Sequence, residues 1–533
     1  MKIGIALATV LAVAAPSAAS ARGVFINSDA WNFFFTGKDW RGYTVDQLKR
    51  EIEKDVDWYA GKGGVEAIFY NLNFQRCFWP TKVGTPYWKD LEIDAATNLY
   101  LRGVKLGEKD GVDEYRRMFL TAKPMWDVFP DFLKYRYEYC HRKGVEMWHS
   151  LRVNDLHHTQ KGAEGRPQHG DLWRTRPDLH RAEYRTAGKH QWSDRGFDYG
   201  LEEVRAYHLA LAREYLLDYE SDGMELDFMR HAPFFRPGFD EANAPLMTQF
   251  VRDVRKLCDQ AEKKWGHKLR LAVRVPAYPA DALGMGMDVP AWVREKFVDV
   301  VIPSPTGLDT VSDTQVALWR VVCPPPVTLA PCIDYEMKIR WEARLLFDMP
   351  TDLGFASSFF NQGADTVYFY NHYPRDRDTH PDMPDTFATC GDRAKVAKLA
   401  RRCVLTDGGP AGEGRYWTSR FPIWGMTQND FCGGAKINVG DGVKGRAAKV
   451  VLGASCDVFV DVYVNGAKCA PLSDSEAPKR LPKLHRVVVA EIPGGVLHDG
   501  WNLVEVVNRA KEPLGEWRLA WCEIDVDAAP QKF

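Results

Sequence analysis

The segment SDGMELDFMRHAPFF, residues 221–235, leads from a polar turn (Ser221, Asp222, Gly223) into a short apolar strand that carries two acids, Glu225 and Asp227. It leaves through Arg230 and His231, with Pro233 just beyond. Side chains alternate along a strand, so Glu225 and Asp227 share a face. A buried carboxylate is costly unless it is paired, hydrogen-bonded or used. If that face is the interior of a sheet, Asp227 stands nearer the carboxyl end. Glu225 then lies one layer below, fixed by an arginine such as Arg152 or Arg274.

Outward from this segment, short apolar runs alternate with amphipathic stretches from about residue 24 to 375. The strand candidates before it are 24–35, 64–74 and the run GVEMWHSLRVND, 144–155; those after it are 269–279, 298–307, 326–336 and 363–374. Helical spacing precedes seven of the eight, as at positions 45, 48, 52, 56 and 59. Strict alternation predicts a parallel sheet covered on both faces. Eight such units favour a (β/α)8 barrel over an open sheet, and no glycine-rich phosphate loop opens any of the helices. Residues 24–400 are therefore expected to form the barrel, and 401–444 a linker. Residues 445–533 read as short alternating strands punctuated by turns, an antiparallel β-sandwich.

The first 21 residues have a positive start at Lys2, an apolar run and Ala19-Ser20-Ala21, the pattern of a cleaved signal peptide. Export to the periplasm, the cell surface or the medium is the expectation, with no integral membrane segment after cleavage. Lys plus Arg number 70 and Asp plus Glu 72, so no basic field exists to hold nucleic acid. The 11 cysteines are scattered with no C-x-x-C, which argues against a zinc ribbon; one or two bridges, Cys456 with Cys469 or Cys522 for example, are expected alongside buried thiols. Aromatic residues make up 12% of the chain, and their flat faces suit sugar rings as well as cores.

The strand ends are polar throughout: Asp29, Trp31 and Asn32; Asn71 and Asn73; His149, Arg152, Asn154 and Asp155; Arg274; Asp334 and Glu336; Tyr370, Asn371 and His372. In a barrel these ends converge on one mouth, where chemistry sits. Cleaving a glycosidic bond takes one carboxylic acid to protonate the leaving oxygen and one carboxylate as base or nucleophile. Asp227 on the fourth strand and either Glu336 or Asp334 on the seventh form the expected catalytic pair. Trp31, Asn71, His149, Arg152, Asn154, Glu225, Arg230, His231, Arg274, Tyr370 and Asn371 are the expected substrate contacts. Arg230, His231 and Arg152 either bind an acidic sugar or pair the acids. Trp148, Trp173 and Trp192 are candidate sugar platforms.

DGMELDFMR at strand four, DAWNFFF at strand one and GADTVYFYNHY at strand eight resemble the bacterial glycosyl hydrolase-like 10 family and, more broadly, (β/α)8 glycoside hydrolases. The shared signature, D-G-hydrophobic-x-hydrophobic-D, is matched by Asp222, Gly223, Met224, Glu225, Leu226 and Asp227. The resemblance covers about residues 24–375 and implies a carbohydrate substrate. Retaining barrels of the best-known kind end strand four in Asn-Glu; Asp227 in that place leaves the acid and nucleophile roles open. The insertions at 75–130 and 155–200 shape substrate choice. His157, His158 and His169 follow strand three, but no H-x-H follows strand one and no H-E-x-x-H occurs, so no metal or other cofactor is expected. The contrasting class is a carbohydrate-binding or surface-scaffold protein that keeps the barrel without the chemistry.

Overall fold

A computed structural model describes residues 23–108, 111–157, 159, 166–185, 193–305, 310, 312–339, 343–373, 382–406, 432–454, 460–472, 486–509 and 519–527. The parallel sheet comprises β1 (Val24–Asp29), β2 (Val65–Asn71), β3 (Glu146–Arg152), β4 (Gly223–Asp227), β5 (Arg270–Pro276), β6 (Val300–Ser304), β7 (Thr328–Leu329), β8 (Cys332–Asp334) and β9 (Tyr368–Tyr370). Hydrogen bonding orders them β7-β6-β5-β4-β3-β2-β1-β9-β8. The seventh strand expected from the sequence is thus two pieces, β7 and β8, separated by Ala330 and Pro331 and paired to opposite ends of the sheet. The sheet curls strongly. The Tyr368 hydroxyl of β9 donates to Glu225 of β4 at 2.8 Å, and the Arg274 guanidinium of β5 lies 3.9 Å from the ring centre of Tyr370. A curled parallel sheet with helices between its strands is a TIM-like arrangement.

Alternate residues fill the concave side: Phe25, Phe69, Trp148, Ala272, Ile302, Cys332 and Tyr368 are all buried together there. On β4 the same register carries Gly223, Glu225 and Asp227. Gly223 is required because a Cβ there would sit 2.6 Å from the Trp148 ring. The outer faces receive the helices. Val45–Ala60 starts at a reciprocal Thr44–Gln47 cap and buries Leu48, Ile52, Val56 and Tyr59, the spacing read from the sequence. Its Asp55 pairs with Arg136 of the helix Phe132–Arg142 at 2.6 Å.

The first strand is shorter than the run 24–35 suggests. Asp29 accepts from the Asn32 backbone N–H and caps a short helix, Ala30–Phe34, so the aromatic run packs helically. The 75–130 insertion holds a small antiparallel sheet (Leu91–Ile93, Leu99–Leu101, Val104–Lys105) and a helix, Val112–Val128.

Two antiparallel sheets follow. Arg401–Thr406, Leu519–Val526, Ala448–Ala454, Arg486–Ile492 and Ala470–Pro471 make one; Cys432–Asn438, Trp501–Asn508, Val460–Val464 and Ala467–Lys468 make the other. The segment 401–444, expected as a linker, therefore contributes a strand to each sheet. The reason is long-range: Arg401–Thr406 finds its partner more than a hundred residues later, at Trp521–Val526. Cys469 and Cys522 are buried free thiols, and Cys456 lies outside the described residues. The expected signal segment, residues 1–21, lies outside them too. Among the described residues no helix is long and apolar enough to cross a membrane.

The parallel-sheet half meets the C-terminal sheets where the helix Met349–Asn361 lies on Arg401–Thr406. At Gly354 a Cβ would come within 1.7 Å of the Arg402 carbonyl oxygen, so the helix carries a glycine in its middle despite a local cost of about 1 kcal/mol. Gly354→Ala is expected to lower stability by about 3 kcal/mol, because backbone on the far side cannot yield as a side chain would. Urea unfolding of the full chain measures it; an unchanged midpoint would mean that the seam is loose.

Candidate active site

Strand pairing sets the polar ends side by side. Asp29 is in register with Asn71, Arg152 with Asp227, Asp227 with Arg274, and Asp334 with Tyr370. Just beyond this level lies a cavity of about 240 Å³ lined by Asp29, Trp31, Asn32, Phe74, Glu114, Arg152, His157, Gln168, Arg230, Tyr335, Asn371 and Tyr373. Its walls are aromatic and its floor is charged.

Arg152 organises the floor. Its guanidinium spans Asp29 at 2.9 Å and Asp155 at 3.3 Å, and it stacks over Phe74 with 4.5 Å between guanidinium carbon and ring centre. Asp155 in turn accepts the Nδ1–H of His157, with its two oxygens 2.9 and 3.0 Å away. Burial holds His157 below the usual histidine range, so its Nε2 is a lone-pair acceptor, and the Nη2 of Arg230 donates to it at 2.8 Å. The ligating atoms of Asp155, His157 and His231 lie within 4.8 Å of one another, a spacing compatible with metal ligation, but Arg152 and Arg230 bond to two of the three. Two guanidiniums at hydrogen-bond distance oppose a divalent cation there.

Beneath the cavity sit carboxyls that hold their protons. Burial pushes Asp334 up to about 8, and the Asn371 amide donates to it at 3.0 and 3.2 Å. Asn371 has φ 61°, a left-handed conformation that asparagine tolerates better than most residues. Its side-chain oxygen accepts from the Tyr373 hydroxyl, which also lies 3.5 Å from Asp29. Tyr373 and Asn371 thus connect Asp29, in the cavity wall, with Asp334 below it. Burial, and then the charge of Asp227, push Glu225 up to about 7; Ser150 and Tyr368 donate to it.

Of the residues expected from the sequence, Trp31, Arg152, Arg230 and Asn371 line the cavity. Asp227 does not. Its carboxylate is bound by Arg274 at 2.8 and 3.1 Å, and it also accepts from the backbone N–H groups of Met229 and Arg230. Arg274 is spent on Asp227, Ser304 and the Tyr370 ring. Glu336 is buried at the start of a hairpin, Glu336–Ile339 with Ala343–Leu346. Asn71 bonds Asn73 and the Ser150 carbonyl, and Asn154 holds Phe197 through both of its backbone groups.

His149 points the other way. It stacks on Tyr215 at 3.9 Å and bonds the Tyr219 carbonyl, because Trp148, Ser150 and Arg152 take the concave side of β3. Strand parity alone would have excluded it. His231 accepts from the Leu156 N–H behind the cavity. Trp148 lies in the sheet interior and Trp173 is buried with its N–H on the Arg195 carbonyl, so neither is a platform; Trp192 and His158 lie outside the described residues. The cavity also takes Glu114 and Gln168 from the two insertions, where no strand end marks them, and Tyr335 and Tyr373, one and two residues past expected positions.

The chain thus presents a TIM-like sheet with a polar, aromatic-walled cavity at the strand ends. No protein-family model matches the chain, and no curated protein matches it in sequence. Among solved structures it is similar to a cycloisomaltooligosaccharide glucanotransferase from Paenibacillus sp., with 10% identity, 95% of this chain and 58% of that one covered, and a TM-score of 0.34. It is also similar to alpha-L-fucosidase isoenzyme 2 from Paenibacillus thiaminolyticus (12% identity, 72% and 51% covered, TM-score 0.39). A third is the catalytic domain of the psychrophilic chitinase B from Arthrobacter TAD20 (12%, 69% and 95%, TM-score 0.35). The chain spans only a little over half the length of the first two.

Proposed function

We propose that the chain is an exported glycoside hydrolase that cleaves a poly- or oligosaccharide at this cavity. One observation carries the reading. Four polar atoms of the lining residues, Arg152 Nε, Arg230 Nε, Asn32 Oδ1 and Gln168 Oε1, are buried without a hydrogen-bond partner among the described residues. Two are donors and two acceptors, between aromatic faces. A sugar matches this mixture, since each hydroxyl both donates and accepts while the ring carbons pack on the aromatics. Barrel closure is part of the proposal: Ala330 N–H bonds Val301 on one side and Tyr368 N–H bonds Pro331 on the other, so β7 and β8 act as one interrupted strand. The narrower kinship with the glycosyl hydrolase-like 10 family rests on Asp222, Gly223 and Asp227. Export rests on the first 21 residues.

In this reading the proton donor is Asp334, whose burial keeps it protonated at neutral pH. Its partner carboxyl is Asp29, which Arg152 pairs at 2.9 Å in the cavity wall. Two carboxyl groups in these two roles are what acid–base cleavage requires. Reducing-end release and binding, measured together on a glycan panel, test it. Asp334→Asn is expected to cut release at least about 100-fold while binding persists. Wild-type release is expected to decline as pH rises through about 8, where Asp334 loses its proton. One observation favours the binding-only reading: Asp334, Glu336, Glu225 and Asp227 are each at most 1% exposed. Binding by wild type and variant with release by neither would establish that reading, and binding by neither would remove both.

A further inference from the structure

Two arginines line the cavity, and they are used differently. Arg152 bridges two carboxylates, Asp29 and Asp155, and its charge is neutralised within the fold. Among the described residues Arg230 has no carboxylate partner. Its Nη2 donates to the neutral imidazole of His157 at 2.8 Å, and its Nε is buried without a partner. Its backbone N–H is fixed by Asp227 at 3.0 Å, so the turn after β4 is set, and His157 is oriented by Asp155 on the opposite nitrogen. Two contacts thus aim the guanidinium, and neither cancels its charge. A carboxylate in place of His157 would have stabilised Arg230 and silenced it; the imidazole leaves a planar, charged fork beside Trp31, Phe74, Tyr335 and Tyr373. Such a fork binds oxyanions through parallel charge-assisted hydrogen bonds.

We propose that Arg230 is the specificity residue of this site and receives the oxyanion of an acidic sugar unit, with His157 and Asp155 as its positioning residues. The inference rests on the carbohydrate reading above and narrows it to glycans that carry uronate or sulfate groups. Sequence alone left Arg230, His231 and Arg152 open between binding an acidic sugar and pairing acids. The geometry divides them: Arg152 pairs acids, His231 supports a backbone N–H, and Arg230 is available.

The full-length protein, with Arg230→Met, Arg230→Lys and His157→Gln variants, is titrated against glycans offered as matched sets: neutral, uronate, methyl-esterified uronate and sulfated. Wild type is expected to prefer one acidic form over its neutral match by about tenfold to a hundredfold, the effect of a hydrogen bond to a charged group. Arg230→Met is expected to abolish that ratio, weakening acidic-glycan binding far more than neutral binding, and Arg230→Lys to restore part of it. His157→Gln is expected to reduce the acidic-to-neutral ratio without abolishing neutral binding, which a merely structural role would not do. Loss of the uronate preference on esterification identifies a carboxylate; preference for the sulfated form alone identifies a sulfate ester. Binding of neutral glycans with no acidic preference, or a preference unchanged in Arg230→Met, overturns the inference and leaves the carbohydrate reading standing. Binding of no glycan overturns both. If Arg230→Met fails to fold, Arg230→Lys and His157→Gln decide on the same ratio.

Discussion

Asp227→Asn is expected to lower the stability of the protein by about 3–5 kcal/mol, the cost of breaking a buried ion pair from one side. Asp227 and Arg274 are each 1% exposed in their side chains. The substitution keeps the shape and removes the charge. Arg274 then remains buried, with the Ser304 hydroxyl at 2.7 Å and the Tyr370 ring as its remaining neighbours, and an amide N–H group can face its donors. The Met229 and Arg230 N–H groups lose a carboxylate acceptor as well. Glu225 responds too, because its upward shift owes part of its size to Asp227. In the variant Glu225 is expected to ionise more readily, and some of the lost pairing returns at alkaline pH. Urea unfolding gives the first number. Replacing both partners, Asp227→Leu with Arg274→Met, is expected to cost less than Asp227→Asn alone, since no charge is then stranded. The contrary outcome is informative. An unchanged unfolding midpoint with sugar release abolished would put Asp227 in the chemistry, as the strand-four signature suggests when read by itself.

That contrast shows where the sequence could be read and where it stopped. Hydrophobic period located the strands from 64–74 to 363–374, because burial on a covered sheet is a local requirement that every residue of the strand has to meet. Parity put Glu225 and Asp227 on the concave face, and it held the means to exclude His149. Partnership was not legible. Arg274 is 47 residues from Asp227 and Arg152 is 123 from Asp29, and nothing local distinguishes an acid held by an arginine from one that faces a ligand. The same blindness hid the C-terminal sheet strand at Arg401–Thr406, whose partner comes more than a hundred residues later. The end of β1 failed for another reason. A run of phenylalanines satisfies either period, and only the cap formed by Asp29 turns it into a helix. Glu114 and Gln168 enter the cavity from insertions, where no periodicity says which side chain faces inward.

The pH dependence of stability is expected to carry the signature of one buried acid that does not line the cavity. Asp352 is 1% exposed in the first turn of the helix Met349–Asn361, and both its oxygens are buried without a partner among the described residues. Burial, then the nearby Asp348 charge, raise its pKa well above the ordinary value. The folded chain therefore holds a proton that the unfolded chain releases above about pH 3.9. Stability from such a group is complete below that pH and falls as pH rises, by about 1.4 kcal/mol per unit until the folded pKa is passed. Asp352→Asn cannot titrate, so its stability relative to wild type is expected to grow as pH rises above about 3.9, by up to about 1.4 kcal/mol per unit until the folded pKa is passed. Its absolute gain is reduced by an unpaired amide, about 1–3 kcal/mol. Glu225 and Asp334 titrate near pH 7 and 8, but they are common to both proteins, so the difference between the two profiles isolates Asp352. Urea unfolding at pH 5, 6 and 7 measures that difference. Parallel profiles would mean that Asp352 is ionised in the folded state, and the helix that seats Gly354 against Arg402 would then contain a buried charge.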